Sequence, residues 1–240
     1  MKSVRSLLRV AGPSSGRLIF IGDIHGCYDE LSDLLSKVGP GRGDTVIAVG
    51  DMARKGPDPV RCLDLWQKQG YLSVLGNNEE KILRFAGQPR LRRVFLAAED
   101  AAVVQREDLI DYIRGWPRVI DAGRGVAAVH GGLLPKMKLQ EKDIERFASE
   151  IVGLRWIRSE GGRWSPVEKS DRTGDEVLWA EVWNGPETIV YGHTPLREPR
   201  LDKKAVGLDT GCVYGGWLTA GIYDGSWSFE RVRARRQYAR

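Results

Sequence analysis

Leu18-Ile19-Phe20-Ile21-Gly22-Asp23-Ile24-His25-Gly26 is an apolar run that ends at a glycine and passes at once to an aspartate and a histidine. The same grammar recurs four more times. Thr45 to Ala48 leads into Val49-Gly50-Asp51, and Tyr71 to Val74 leads into Leu75-Gly76-Asn77-Asn78-Glu79. Val126 to Ala128 leads into Val129-His130-Gly131-Gly132, and Thr188 to Val190 leads into Tyr191-Gly192-His193-Thr194-Pro195. Short, continuous apolar runs bounded by turn residues read as strands covered on both faces. The chain has 3 histidines in 240 residues, and all of them stand at these junctions.

Helical patterns fill the intervals. In 28–38, Leu31, Leu34, Leu35 and Val38 fall at i, i+3, i+4 and i+7, and Gly39-Pro40-Gly41 stops the helix. Asp58-Pro59 opens a second helix that runs toward Gly70, and a third is expected over about 79–86. Strands 17–22, 45–50 and 71–75 therefore alternate with helices, which implies parallel strands and crossover helices. Residues 88–115 read as two charged helices split near Asp100. Further strands are expected at 118–121, 125–130, 187–191, 205–208, 217–223 and 226–232, the last pair joined by a turn at Tyr223-Asp224-Gly225-Ser226. Ser159 to Asp175 is polar and rich in Gly, Pro and Ser, and reads as a long loop of the lid or binding type.

The length suits one domain spanning 1–240, with 1–16 a flexible basic arm and 231–240 a solvated basic tail. With 37 basic and 32 acidic residues the net charge is +5, which suits anionic ligands without by itself indicating nucleic acid. The arginine-rich tail is the one hint of contact with an RNA end. No apolar run is long enough to span a bilayer, so no membrane partner is expected. Three cysteines (Cys27, Cys62, Cys212) cannot all pair and lack zinc-finger spacing, which points to a reducing, cytoplasmic setting.

Carboxylate, amide and imidazole donors at strand ends suit a centre for two divalent cations. Asp23 and His25 share one face of an extended segment and can reach one metal. Asp51 would bridge, and Asn77, His130 and His193 would complete the second position. This donor set favours manganese, with iron, zinc, cobalt or magnesium as other occupants. Glycines beside the ligands let the chain turn sharply and let ligand atoms come close.

GDIHG, GDMARKGPDP, GNNE, VHGG and YGHTP, in this order, resemble the calcineurin-like metallophosphoesterases, in their phosphoprotein-phosphatase branch. Within it, GDIHGCYDEL, the GPDP segment and Leu208 to Thr219 resemble the symmetrical diadenosine tetraphosphatases and the ApaH-like phosphatases. Lys55 before Gly56 and the stretch Trp179 to Pro186 lean toward the ApaH-like group. The resemblance covers about residues 17–225. It implies an α/β/β/α sandwich of two mixed sheets flanked by helices, an α/β fold. It also implies a two-metal hydrolase of phosphate esters or anhydrides with the ligands named above.

The chain departs from that pattern where catalysis is most sensitive. Ala53-Arg54-Lys55 stands where the branch usually has Val-Asp-Arg, and Asn78 stands where it has histidine. The Asp–His pair that protonates the leaving group is therefore absent. Lys55 can hold phosphate as a point charge, Asn77 is a further candidate, and Arg155 matches a position where the family places a second phosphate-binding arginine or else forms a surface ion pair. Arg54 or Asn78 is left to stabilise the leaving group, although an amide supplies no proton. General-acid help is worth about 10²–10⁴-fold and matters most for poor leaving groups. The expected substrate is thus a dinucleoside polyphosphate-type anhydride, a phosphorylated small molecule. A protein Ser/Thr or Tyr phosphatase acting on a phosphoprotein is the alternative within the class. A catalytically weak metal- and nucleotide-binding module is the alternative outside it.

Among other residues, Trp164 could stack on a nucleobase. Asp209 reads either as a partner orienting a ligand histidine or as a turn cap, and Trp66 and the cysteines read as core.

Overall fold

The computed structural model describes residues 5–12, 15–88 and 96–240. Five strands form one mixed sheet in the order β14-β13-β2-β3-β4. These are β2 (Leu18–Ile21), β3 (Thr45–Ala48), β4 (Leu72–Ser73), β13 (Trp217–Tyr223) and β14 (Trp227–Arg233). Strands β2, β3 and β4 run parallel, and β13 is antiparallel to β2. A second mixed sheet has the order β1-β5-β6-β10-β12-β11. Its members are β1 (Leu7–Arg9), β5 (Val119–Asp121), β6 (Val126–Val129), β10 (Thr188–Tyr191), β11 (Arg200–Leu201) and β12 (Ala205–Gly207). The strands at its centre, β6, β10 and β12, are parallel.

Alternation along the strands builds the layers. Leu18, Phe20 and Ile47 of the first sheet pack with Ile120, Ala128, Val190 and Val206 of the second, so the sheets face each other across an apolar core. The opposite face of the first sheet turns Ile19, Ile21, Val46 and Ala48 toward α1 (Tyr28–Val38) and α2 (Pro59–Gln69). The same core takes in α3 (Asn77–Gly87), α4 (Ala98–Gln105) and α5 (Glu107–Arg114). The outer face of the second sheet packs on α6 (Glu141–Arg146), α7 (Ala148–Gly153) and α8 (Trp179–Val182). This is the expected α/β/β/α sandwich, and the central strands β2 and β6 are apolar throughout because both their faces are covered, whereas edge strands such as β14 carry polar residues.

Four expectations change. The first part of the expected loop over 159–175 is a hairpin of a third sheet, order β8-β7-β9, built from β7 (Trp156–Glu160), β8 (Arg163–Val167) and β9 (Val177–Leu178), while 168–175 contains no strand. Gly161 and Gly162, both at positive φ (55° and 78°), close the β7–β8 hairpin as a two-residue turn requires. The basic arm includes β1, which pairs in parallel with β5. The tail is docked rather than solvated: Arg235 pairs with Asp29 and Asp33, and the Tyr238 hydroxyl donates to Glu30 at 2.7 Å. The charged helices break at Arg106 rather than near Asp100, which lies buried inside α4; residues 89–95 of that stretch lie outside the described residues.

Candidate metal centre

Parallel strands carry their C-terminal ends to one edge, and there the ligand candidates meet. Asp23 and His25 follow β2, Asp51 follows β3, Asn77 opens α3 just after β4, His130 follows β6 and His193 follows β10. The centre thus sits between the carboxyl ends of both sheets, where open α/β sheets leave a crevice. Backbone bonds lock the turns together: His25 N–H donates to Asp51 O at 2.8 Å, and Gly192 N–H donates to His130 O at 2.9 Å.

Asp23, His25 and Asp51 bring ligand atoms within 4.8 Å of one another, and so do Asp51, His130 and His193. Asp51 belongs to both groups, which is the arrangement a bridging carboxylate needs. The imidazoles make the case sharper. His130 Nδ1 lies 2.8 Å from Val49 O, His25 Nδ1 3.3 Å from Ala53 O, and His193 Nε2 3.1 Å from Gly153 O. A carbonyl only accepts, so each of those nitrogens carries the proton and the other ring nitrogen is bare. The bare atoms point at oxygens. His130 Nε2 is 3.3 Å from Asp51 Oδ1 and 3.1 Å from Asn77 Oδ1, and His193 Nδ1 is 3.1 Å from the same Asn77 oxygen. His25 Nε2 faces Asp51 Oδ2 at 3.5 Å and Asp23 Oδ2 at 3.9 Å. At His130 and His193, lone pairs aimed at lone pairs across about 3 Å repel unless a cation lies between them, while His25 Nε2 also meets the Lys55 ammonium; with Asp51 shared by both groups, the residues fit a pair of divalent metals.

The surroundings agree. Burial pushes His25 down to about 4 and His193 down to about 2, so both rings are neutral, the form that ligates. Burial, together with Asp209 and Asp51, raises Asp23 well above the usual carboxylate range, as expected where buried acids crowd without a cation. Asp209 itself is raised to about 6 by burial, partly offset by the Gly211 N–H that its Oδ1 accepts at 3.0 Å. That bond gives Asp209 the turn-capping role, and among the described residues no histidine bonds to it.

The chain is strained where the ligands are. His25 (φ 47°), Asp51 (φ 50°) and His193 (φ 64°) all occupy the left-handed region, as do Arg54 (71°) and Lys55 (70°). Such residues cost about 1–3 kcal/mol each and persist where the surroundings over-determine them. Glu79 supplies part of that determination: buried in α3, it accepts from the N–H groups of Asp51 (2.8 Å), Ala53 (2.9 Å) and Gly76 (3.0 Å). Gly192 is required by space, since a Cβ there would lie 2.1 Å from Asp23 Oδ1.

A cavity of about 190 Å³ opens over the cluster, and Lys55, Asn78, Lys81, Arg155 and Tyr214 share its lining. Lys55 Nζ lies 3.2 Å from His25 Nε2 and donates to the Tyr214 hydroxyl at 2.9 Å. Arg155 donates from Nη2 to His193 O at 2.8 Å, and its buried Nε has no partner among the described residues. Arg54 is placed elsewhere. Its Nε bonds Asp100 at 2.9 Å and its Nη1 bonds Asn78 Oδ1 at 3.2 Å, while Asn78 Nδ2 donates to Asp51 Oδ2. Arg54 therefore reaches the centre only through Asn78. Trp164 sits in β8 and lines a separate groove of about 780 Å³ that contains none of the cluster. Sequence reasoning missed Lys81, Tyr214, Glu79 and Asp100. A Glu three residues after Gly76 was a visible capping signal for Glu79; the other three had none.

Residues 16–224 match the family model described as calcineurin-like phosphoesterase. Among curated proteins, the bis(5'-nucleosyl)-tetraphosphatase PrpE, asymmetrical, of Bacillus velezensis is 28% identical over 219 residues, covering 83% of this chain and 86% of its own. The PrpE of Bacillus cereus is 31% identical over 231 residues, covering 83% and 87%. A crystal structure described as a candidate diadenosine tetraphosphatase aligns with TM-score 0.80 and 31% identity, covering 96% of this chain and 98% of that one. A Saccharomyces cerevisiae serine/threonine phosphatase structure shares the fold at TM-score 0.62 and 12% identity, covering 98% and 85%.

Proposed function

Because the chain belongs to the calcineurin-like phosphoesterase family and is a phosphohydrolase, we propose that it cleaves dinucleoside polyphosphates at the Asp51-centred cluster. Asp23, His25 and Asp51 would hold one divalent ion, and Asp51, Asn77, His130 and His193 the other, with manganese as the working pair. Bound there, the ions supply Lewis acidity and a nucleophilic water. The chain's own residues do the rest. Lys55 and Arg155, both in the cavity lining, bind the non-bridging phosphate oxygens, and the Arg155 Nε, without a partner among the described residues, gives a buried donor ready for an anion. Lys81, also in the lining, adds positive charge.

The observation that carries the anhydride preference is the lodging of Asn78. Its amide is held between Arg54 and Asp51, and all three imidazoles are turned onto the cluster. No histidine remains to protonate an alkoxide. A nucleotide leaves as a weakly basic anion and needs only charge neutralisation, which the lysines provide. The relatives named as tetraphosphatases support this reading.

The test is a panel of dinucleoside polyphosphates, phosphoserine peptides and capped RNA, each with manganese. Diadenosine tetraphosphate should be cleaved at least about 10²-fold faster than phosphoserine, and Asp51→Asn should abolish turnover. Comparable rates on the two substrates would refute the preference. The products separate symmetrical cleavage (two ADP) from asymmetrical cleavage (ATP and AMP).

A further inference from the structure

Behind the Gly22–Gly26 turn, on the helical side of the first sheet, lies a second cluster of ligand-type side chains. Cys27 stands at the entry to α1, Glu30 in the first turn of that helix, and Cys212 opens the short 3-10 turn Cys212–Tyr214. Each offers one ligand atom within 4.8 Å of the others, and all three are buried. Two distant stretches of chain thus aim two sulfurs and a carboxylate at a common point.

The carboxylate is half satisfied. Glu30 Oε1 accepts from Arg235 N–H at 2.9 Å and from the Tyr238 hydroxyl at 2.7 Å. Glu30 Oε2 is buried with no hydrogen-bond partner among the described residues. Thiols are weak donors, and a buried carboxylate oxygen left without a donor is costly. A cation shared with the two sulfurs would remove that cost.

We propose that Cys27, Glu30 and Cys212 form a structural site for a thiophilic divalent ion of the zinc class, separate from the phosphate-cleaving centre. Two thiolates and a carboxylate are donors that zinc takes in tetrahedral sites, and softer sulfur ligands discriminate against manganese and magnesium. On binding, the ion enters as M²⁺ and the two S–H protons leave to solvent. The site ties the chain two residues after His25 to the chain three residues after Asp209, and so clamps two turns that border the catalytic cavity. The C-terminal segment closes it, because Tyr238 and Ala239 also donate backbone N–H groups to Val213 O at 2.9 Å each.

Cobalt(II) gives a direct test on the full-length protein. The catalytic cluster offers only nitrogen and oxygen donors, so a sulfur-to-cobalt charge-transfer band reports the second site alone. The wild-type protein should develop this band on titration with cobalt and lose it on addition of zinc. The band should persist in Asp51→Asn and in Cys62→Ala, whose thiol lies outside the cluster. It should vanish in Cys27→Ser and Cys212→Ser. Glu30→Gln, which keeps both sulfurs and the side-chain volume, should weaken cobalt binding by at least about tenfold. Absence of the band in folded wild-type protein at saturating cobalt would overturn the proposal, whether or not any variant folds. So would an undiminished band in folded Cys212→Ser, or a Cys27–Cys212 disulfide in protein purified without metal.

Discussion

At the level of single residues, the centre is held by backbone conformations and ring tautomers as much as by side-chain identity. Asp51 sits in the left-handed region because Glu79 captures its N–H at 2.8 Å and Asn78 N–H bonds its Oδ1 at 3.0 Å. Asn78 shows the effect of one atom type. Replacing it by histidine would return a titratable group to the wall of the cavity, within reach of the Arg54–Asp100 pair. Asn78→His should therefore raise the rate on phosphoserine relative to diadenosine tetraphosphate by about tenfold or more, read as a ratio of kcat/KM values. Gly192→Ala puts a methyl 2.1 Å from Asp23 Oδ1. It should remove metal-dependent turnover and destabilise the protein by about 2–4 kcal/mol, seen as a lower midpoint in urea.

At the level of elements, caps and short polar clamps decide where strands and helices begin. Asp44 accepts from the Arg17 guanidinium at 2.7 Å, from Arg17 N–H at 2.7 Å and from Gly41 N–H at 2.9 Å, joining the start of β2 to the turn before β3. Burial alone would raise its pKa, but these donors bring it down to about 2. A carboxylate depressed in the folded state stabilises above its unfolded value and loses that contribution as pH falls through the folded one. Asp44→Asn should thus cost about 1–2 kcal/mol at neutral pH, after allowance for solvent screening. The gap should close between about pH 4 and pH 2, a trend that thermal melts across that range would reveal. The β7–β8 hairpin teaches a different lesson. Gly161-Gly162 was a visible turn signal, but Arg163, Ser165 and Pro166 gave the flanks no apolar alternation. The hairpin is held instead by strand pairing, and by Arg158 clasping Asp175 at 2.9 Å and Thr173 at 2.7 Å.

For the whole molecule, the described residues near both ends of the chain are structural. β1 adds an edge strand beside β5, and the tail crosses α1. Arg231 pairs with Glu198, and Arg235 is shared between Asp29 and Asp33, so neither arginine stands free for a phosphate backbone. Deleting residues 235–240 would strip Glu30 Oε1 of both its donors. The truncated protein should melt several degrees lower, at about 2–4 °C per kcal/mol lost, while its affinity for RNA stays unchanged. Calorimetry and a filter-binding assay would check the two halves of that expectation. Among the described residues, no helix is long and apolar enough to cross a membrane.

The sequence by itself determined the alternation of strands and helices and the six ligand candidates, because both are written locally, whereas the two-sheet sandwich was implied by the family resemblance. Strands covered on both faces are apolar without interruption, and each ligand directly follows such a run beside a glycine. Parallel pairing brings Asp23, Asp51 and Asn77 to one edge of the first sheet and His130 and His193 to one edge of the second, while the packing of the two sheets decides that these edges meet. Only the tertiary structure decided which charges face the cavity and which are consumed elsewhere. Arg54 and Lys55 are neighbours in sequence, yet Asp100 of a distant helix takes the first and leaves the second over the cluster. Lys81 and Tyr214 enter for the same reason, and Cys27 and Cys212 meet only because α1 packs against β13, the strand that follows the Cys212–Tyr214 turn. Ion pairs and ligand clusters of this kind form across long stretches of chain, where local pattern carries no information about which partner a charged or sulfur-bearing side chain will find.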